Sequence, residues 1–216
     1  MIWRRIRLTG MVLVVAVLAA ACSDDGPKKA GGDGTTTTAK LELDKEAEAL
    51  FSLLDKARDL TFHASYSATN AQQETFQIQI WRKGGLVRQD VTAMTEGKPL
   101  LQSAFVLKQK AITCSKLDVD PWQCSDIDNS NLTKSDGVFG AVRDQLGGID
   151  VTQRDDKIAE RDVTCFQWQF EGDKGEMCVL KSGIPARATI GPTTISLTSD
   201  QSDVGDDVFQ PPVAST

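Results

Sequence analysis

The residues of widest chemical reach in this 216-residue chain are five cysteines and one histidine. A lone histidine excludes His-rich metal sites and leaves His63 as the sole imidazole for acid–base work. His63 alternates onto the polar side of the run Thr61 to Ala68, which predicts a solvent-facing ring. Nucleophilic catalysis needs a serine or cysteine beside a base, and no G-x-S-x-G occurs. Neither a G-x-x-x-x-G-K phosphate loop nor a G-x-G-x-x-G fingerprint is present. No cysteine pair has C-x-x-C spacing, which argues against zinc and against a redox dithiol. The acidic pairs Asp118/Asp120, Asp126/Asp128 and Asp155/Asp156 read as solvated surface. Asp126 to Asn131 echoes a calcium loop but lacks its turn glycine and distal glutamate. The expectation is a protein without metal, cofactor or enzymatic activity.

The odd cysteine count has a simple origin. Arg4, Arg5 and Arg7 precede an apolar run from Met11 to Ala21, too short for a comfortable bilayer span. Small residues then lead directly to Cys22, the layout of a cleaved secretory signal over residues 1–21. Leu18-Ala19-Ala20-Ala21-Cys22 resembles the bacterial lipobox, with Ala19 where leucine is more common. That resemblance implies diacylglycerol on the Cys22 thiol and an extracytoplasmic domain anchored to the cell membrane. Two or three acyl chains hold a protein stably, whereas one does not. Cleavage removes three arginines and leaves 21 basic against 30 acidic residues, so anionic lipid would repel the mature chain. The polar stretch 22–40 has almost no large apolar side chain and reads as a flexible tether. Its mean span is roughly 20–25 Å.

Beyond the cytoplasm the other four cysteines read as two disulfides. In Cys165-Phe166-Gln167-Trp168-Gln169-Phe170 the aromatics share one strand face and Cys165 takes the other. After a turn at Gly172 to Gly175, Met177 and Val179 join the aromatic face and Cys178 faces Cys165. Cys114 and Cys124 flank a segment with an Asp120-Pro121 turn signal. Parity therefore predicts Cys114–Cys124 and Cys165–Cys178.

The elements that must hold these residues follow from periodicity. Asp44 to Leu60 reads as a helix, with Asp44 as N-cap and Ala47, Leu50, Phe51, Leu54 and Ala57 on one side. The period then falls to two. Strands are expected near 61–68, 76–81, 86–91, 101–107, 111–114, 163–170, 177–181, 186–190 and 194–198. Asp126 to Ser135 reads as a loop, and Gly137 to Leu146 as a short helix closed by Gly147-Gly148. The domain is expected over 41–212, with 213–216 as a tail. Its predicted class is α+β: one large curved antiparallel sheet, a half-barrel, with helices covering the concave face. A net charge of −6 gives no basic face for nucleic acid.

This order of elements is similar to that of bacterial lipoprotein carriers, the LolA-like family and its actinobacterial LppX/LprG-like relatives. The resemblance rests on the lipobox, the tether, the stretch LFSLLDKARDLTFHASYSA (Leu50 to Ala68) and the long meander. Further support comes from Met177-Cys178-Val179-Leu180, Gly183-Ile184-Pro185-Ala186-Arg187 and the ending Phe209-Gln210-Pro211-Pro212. It implies a cavity for a lipid or other apolar ligand between sheet and helices. The candidate lining is Phe62, Tyr66, Phe76, Ile78, Ile80, Phe166, Trp168 and Phe170. Two readings remain open: a lipid carrier, or a structural and interaction lipoprotein of the envelope whose aromatics simply fill a core.

Overall fold

The computed structural model describes residues 44–108, 110–127, 146, 149–170 and 173–214. One α-helix, α1 (Lys45–Arg58), precedes eleven strands. The strands are β1 (Phe62–Thr69), β2 (Thr75–Lys83), β3 (Leu86–Thr95), β4 (Lys98–Val106), β5 (Ala111–Leu117) and β6 (Gln123–Ile127). They continue as β7 (Val151–Ile158), β8 (Arg161–Phe170), β9 (Asp173–Leu180), β10 (Pro185–Ile190) and β11 (Thr193–Gln201). All eleven form a single sheet ordered β6-β5-β4-β3-β2-β1-β11-β10-β9-β8-β7, antiparallel throughout. Two meanders thus meet at the centre, where the first strand pairs with the last.

This corrects the expected α+β class with helices covering a concave face. Among the described residues the architecture is nearly all sheet, and α1 is the sole α-helix. The second expected helix, Gly137 to Leu146, lies outside the described residues except for Leu146, which is buried in the core. Two strands were also not foreseen, β6 and β7, and both occupy sheet edges. The stretch Val151 to Ile158 carries four consecutive charged residues and is exposed over most of its length. An edge strand needs no apolar alternation, and charge along it deters pairing with other chains. The expected turn at Gly172 to Gly175 is tighter than predicted, since Phe170 pairs with Asp173 and the next residues are already strand.

Asp44 explains how α1 is set on the sheet. One carboxylate oxygen accepts from Ala47 N at 2.6 Å as an N-cap, and the other accepts from Val151 N at 2.7 Å. One side chain therefore starts the helix and pins it to the beginning of β7. Glu46 and Glu48 in the first turn, with Lys56 and Arg58 in the last, suit the helix dipole. The buried side of α1 carries Ala47, Leu50, Phe51 and Ala57 and leans on β7, β8 and β9. Each large apolar side chain buried there contributes about 1.5–3 kcal/mol. At the other end, the β9–β10 turn touches the helix backbone. Gly183 has φ +94°, and a Cβ there would sit 2.3 Å from the Leu53 carbonyl oxygen. Only glycine combines that dihedral with that approach.

Candidate functional site

The central strands build an apolar sheet face. Cross-strand register places Tyr66 opposite Ile78, which opposes Val91. In the next row Ala64 opposes Ile80, which opposes Gln89. Directly opposed side chains share one face, so a glutamine stands among alanine, isoleucine and tyrosine. Of the candidate lining, Phe62, Tyr66, Phe76 and Ile78 belong to one buried cluster, with Ile80 packed against it. Helix α1 reaches this cluster through Ala57 in its last turn, with Leu60 just beyond.

Two polar groups on that face lack partners. The Tyr66 hydroxyl and the Gln89 side-chain nitrogen are buried without a hydrogen bond. Tyr66 is 2% exposed and Gln89 6%. Burial, with Asp200 adding to it, pushes the Tyr66 phenol far up, so the hydroxyl keeps its proton and remains a donor. A buried donor without an acceptor costs about 1–3 kcal/mol, and native interiors rarely leave one.

Phe166 and Trp168 join a different cluster, with Leu50, Phe51, Leu146, Met177 and Val179. There they face α1 rather than Phe62 and Tyr66. Trp168 lies directly opposite Gly175, and a Cβ at Gly175 would fall 2.2 Å from the indole. The missing side chain is what lets the ring lie across the strand. Of Phe170 only the backbone is described. The proposed lining is therefore divided between two clusters.

The cysteine-bearing side of β8 and β9 is buried at Val163, Cys165, Cys178 and Leu180, which join the Tyr66 cluster, and polar at Gln167 and Glu176. Arg154, Cys165, Cys178 and Arg187 oppose one another in a single row. The structure bonds Cys165 to Cys178 and Cys114 to Cys124. Glu176 accepts from Arg187 at 2.7 Å, Arg154 at 2.9 Å and Gln167 at 2.6 Å. Arg154 also bonds Asp156. Burial pushes the Glu176 carboxyl up, but these three donors outweigh it and hold the group below its ordinary range. Cys165, Glu176 and Cys178 bring two sulfurs and a carboxylate within 4.8 Å. The sulfurs are bonded to each other and are not thiolates, so the trio is not a metal donor set. Beside this lattice is an open depression of about 510 Å³, lined by Thr152, Gln167, Gln169, Lys174, Glu176 and Thr189 among others. Its lining sets hydroxyl, amide and charged groups around Trp168.

A second ladder crosses β1 to β4, in which His63, Trp81, Arg88 and Phe105 are in register. His63 is not the free solvent-facing ring expected: it stacks on Trp81 with centroids 4.5 Å apart, and Gln201 lies 3.1 Å from its Nδ1. The Arg88 guanidinium sits 4.8 Å from the Trp81 ring centroid and 5.3 Å from that of Phe105. Arg88 also donates to the Val208 carbonyl, and Lys83 to the Val204 carbonyl, strapping the C-terminal segment down. Sequence reading missed Gln89, Arg88 and Glu176. A polar residue within an alternating run was the available signal for Gln89; nothing local marked the other two. Cys22, its signal and tether, and the loop residues from Asp128 lie outside the described residues.

Among the described residues the fold is a single sheet with one docked helix and a buried apolar cluster on its central strands. No protein-family model matches the chain, and no curated protein does. Solved structures resemble it at low identity. The crystal structure of MucB superposes with a TM-score of 0.51 at 13% identity, covering 78% of this chain and 63% of that one. The chain thus spans less than two thirds of MucB. An uncharacterized conserved protein from Thermus thermophilus gives a TM-score of 0.50 at 11% identity, covering 79% of this chain and 98% of that one. These likenesses are of fold alone. MucB has a LolA-like fold, so the structural resemblance read from the sequence stands at that level.

Proposed function

We propose that this is a bacterial lipoprotein, anchored through acyl chains on Cys22 at the extracytoplasmic face of the cell membrane, that binds a lipid or other apolar molecule. The reading makes it a binding protein and not an enzyme. The observation that carries it is the gathering of Phe62, Tyr66, Phe76 and Ile78 on the central strands, while α1 leans on β7 to β9. The cluster is buried and draws on β8 to β10 through Val163, Leu180 and Ala186, while α1 offers it only its final turn. Titration with an environment-sensitive apolar dye tests the reading: saturable, lipid-competed fluorescence is expected, and no saturable binding refutes it.

The mixed depression beside Trp168 and the part-exposed Arg154–Glu176–Arg187 lattice favour a second role, contact with an envelope protein. In that case cross-linking on intact cells recovers a discrete protein adduct that substitutions at Gln167 and Gln169 remove.

A further inference from the structure

We infer that the depression over β7 to β9 holds a short peptide with both ends free, its amine at Asp150, its amide group at Gln169 and its carboxylate at Lys174. The inference rests on the depression given a second role above and names the chemistry held there.

The depression measures about 510 Å³, within the range of small-ligand sites. Gln169 opposes Lys174, and Val151 opposes Trp168, which brings Asp150, the preceding residue, alongside Gln169. One row therefore reads carboxylate, amide, ammonium across three strands. The row beside it carries Thr152, Gln167 and Glu176. Glu176 is spent there: both its oxygens accept from neighbours, so it stiffens the floor and offers a ligand nothing. Gln167 gives its amide nitrogen to Glu176 and keeps an acceptor oxygen. Asp150, Gln169 and Lys174 are exposed and, among the described residues, make no side-chain hydrogen bond or ion pair. A bare anion at this place meets Asp150, and a bare cation meets Lys174. A molecule carrying both charges in the matching order escapes both repulsions. Strands β7 and β9 lie roughly 10 Å apart. An extended dipeptide is about 7 Å long, and the two charged side chains close the remainder from either end. Its central amide then falls over Gln169, whose side chain both donates and accepts.

The test is a titration of the purified full-length protein at low ionic strength, read by NMR at the side-chain amides of Gln167 and Gln169. The probes are alanylalanine, its N-acetylated form, its C-terminal amide and an uncharged disaccharide. Alanylalanine is expected to shift both amide signals saturably. Blocking either end should weaken binding by about two- to fivefold, the effect of one exposed ion pair. Asp150→Asn should weaken the free dipeptide by the same factor and make acetylation indifferent. Lys174→Gln should do so for amidation. Neither variant should melt differently from the wild type, because neither side chain has a partner to lose. Blocked and free dipeptides that bind alike, or a disaccharide that binds better at the same signals, would overturn the inference. So would the failure of every probe to bind; a cross-linked protein adduct that still depends on Gln167 and Gln169 would then leave the second role standing.

Discussion

Replacing Gly175 by alanine inserts one methyl group beneath the Trp168 indole. The new Cβ would lie 2.2, 2.3 and 2.5 Å from three ring atoms. Comfortable carbon contacts are about 3.5–4.0 Å, so the ring must move by more than an ångström. It has little room, because Trp168 is 8% exposed and packs in a cluster with Phe166, Met177 and Leu50. Overpacking of this kind costs about 1–3 kcal/mol. Alanine recovers part of that, roughly 0.5–1 kcal/mol, by restricting the unfolded chain. The expected net loss is about 1–2 kcal/mol. For a domain of 150–250 residues each kcal/mol shifts the melting temperature by about 2–4 °C. Urea titration followed by circular dichroism measures the loss, and a Trp168→Ala background isolates its cause. There Gly175→Ala should be neutral or stabilising, giving a coupling near 1 kcal/mol or more. A Gly175→Ala protein as stable as wild type in the Trp168 background would refute the packing argument.

Glu176→Gln should flatten the acid limb of the stability curve. A carboxyl held below its ordinary pKa contributes stability that is fully present above the unfolded value, near 4.3. That contribution is lost as pH falls through the depressed folded value, so wild type and variant should converge at the most acid pH in a melting series. Replacing Cys165 and Cys178 together by alanine removes a bridge of sequence separation 13 and should cost about 3 kcal/mol in the chain-entropy model. The same exchange at Cys114 and Cys124, separation 10, should cost slightly less, read by urea midpoint. Cys22→Ser should move the protein out of the detergent phase in Triton X-114 partitioning if acylation anchors it; unchanged partitioning would remove the anchor from the account.

The sequence made some parts of this molecule readable and concealed others for physical reasons. Strands half buried on one face announce themselves by alternation, as Phe62-His63-Ala64-Ser65-Tyr66 does. Parity along Cys165 to Phe170 carried the pairing of Cys165 with Cys178, because cross-strand bridges need both cysteines on one face. The Asp44 cap was legible for the same local reason, although its second bond to Val151 was not. Edge strand β7 escaped because exposure along most of its length erases the periodic signal, and β6 because only Cys124 of its five residues is buried. The expected helix cover was an error of class, since periodicity cannot say how much of a sheet one helix will serve. Dividing the aromatic residues between two clusters depends on strand order: β1 neighbours β11, whereas Phe166 and Trp168 sit three strands beyond it. Gln89 looked like an ordinary exposed position until register set it between Ile80 and Ala104.

The most direct test of apolar-ligand binding is mass spectrometry of organic extracts from the native lipidated protein, purified gently from its membrane. An acyl lipid is expected in about one copy per protein, distinct from the covalent anchor and lost on denaturation. A protein carrying its anchor and no other lipid, and binding none when lipid is supplied, would contradict it.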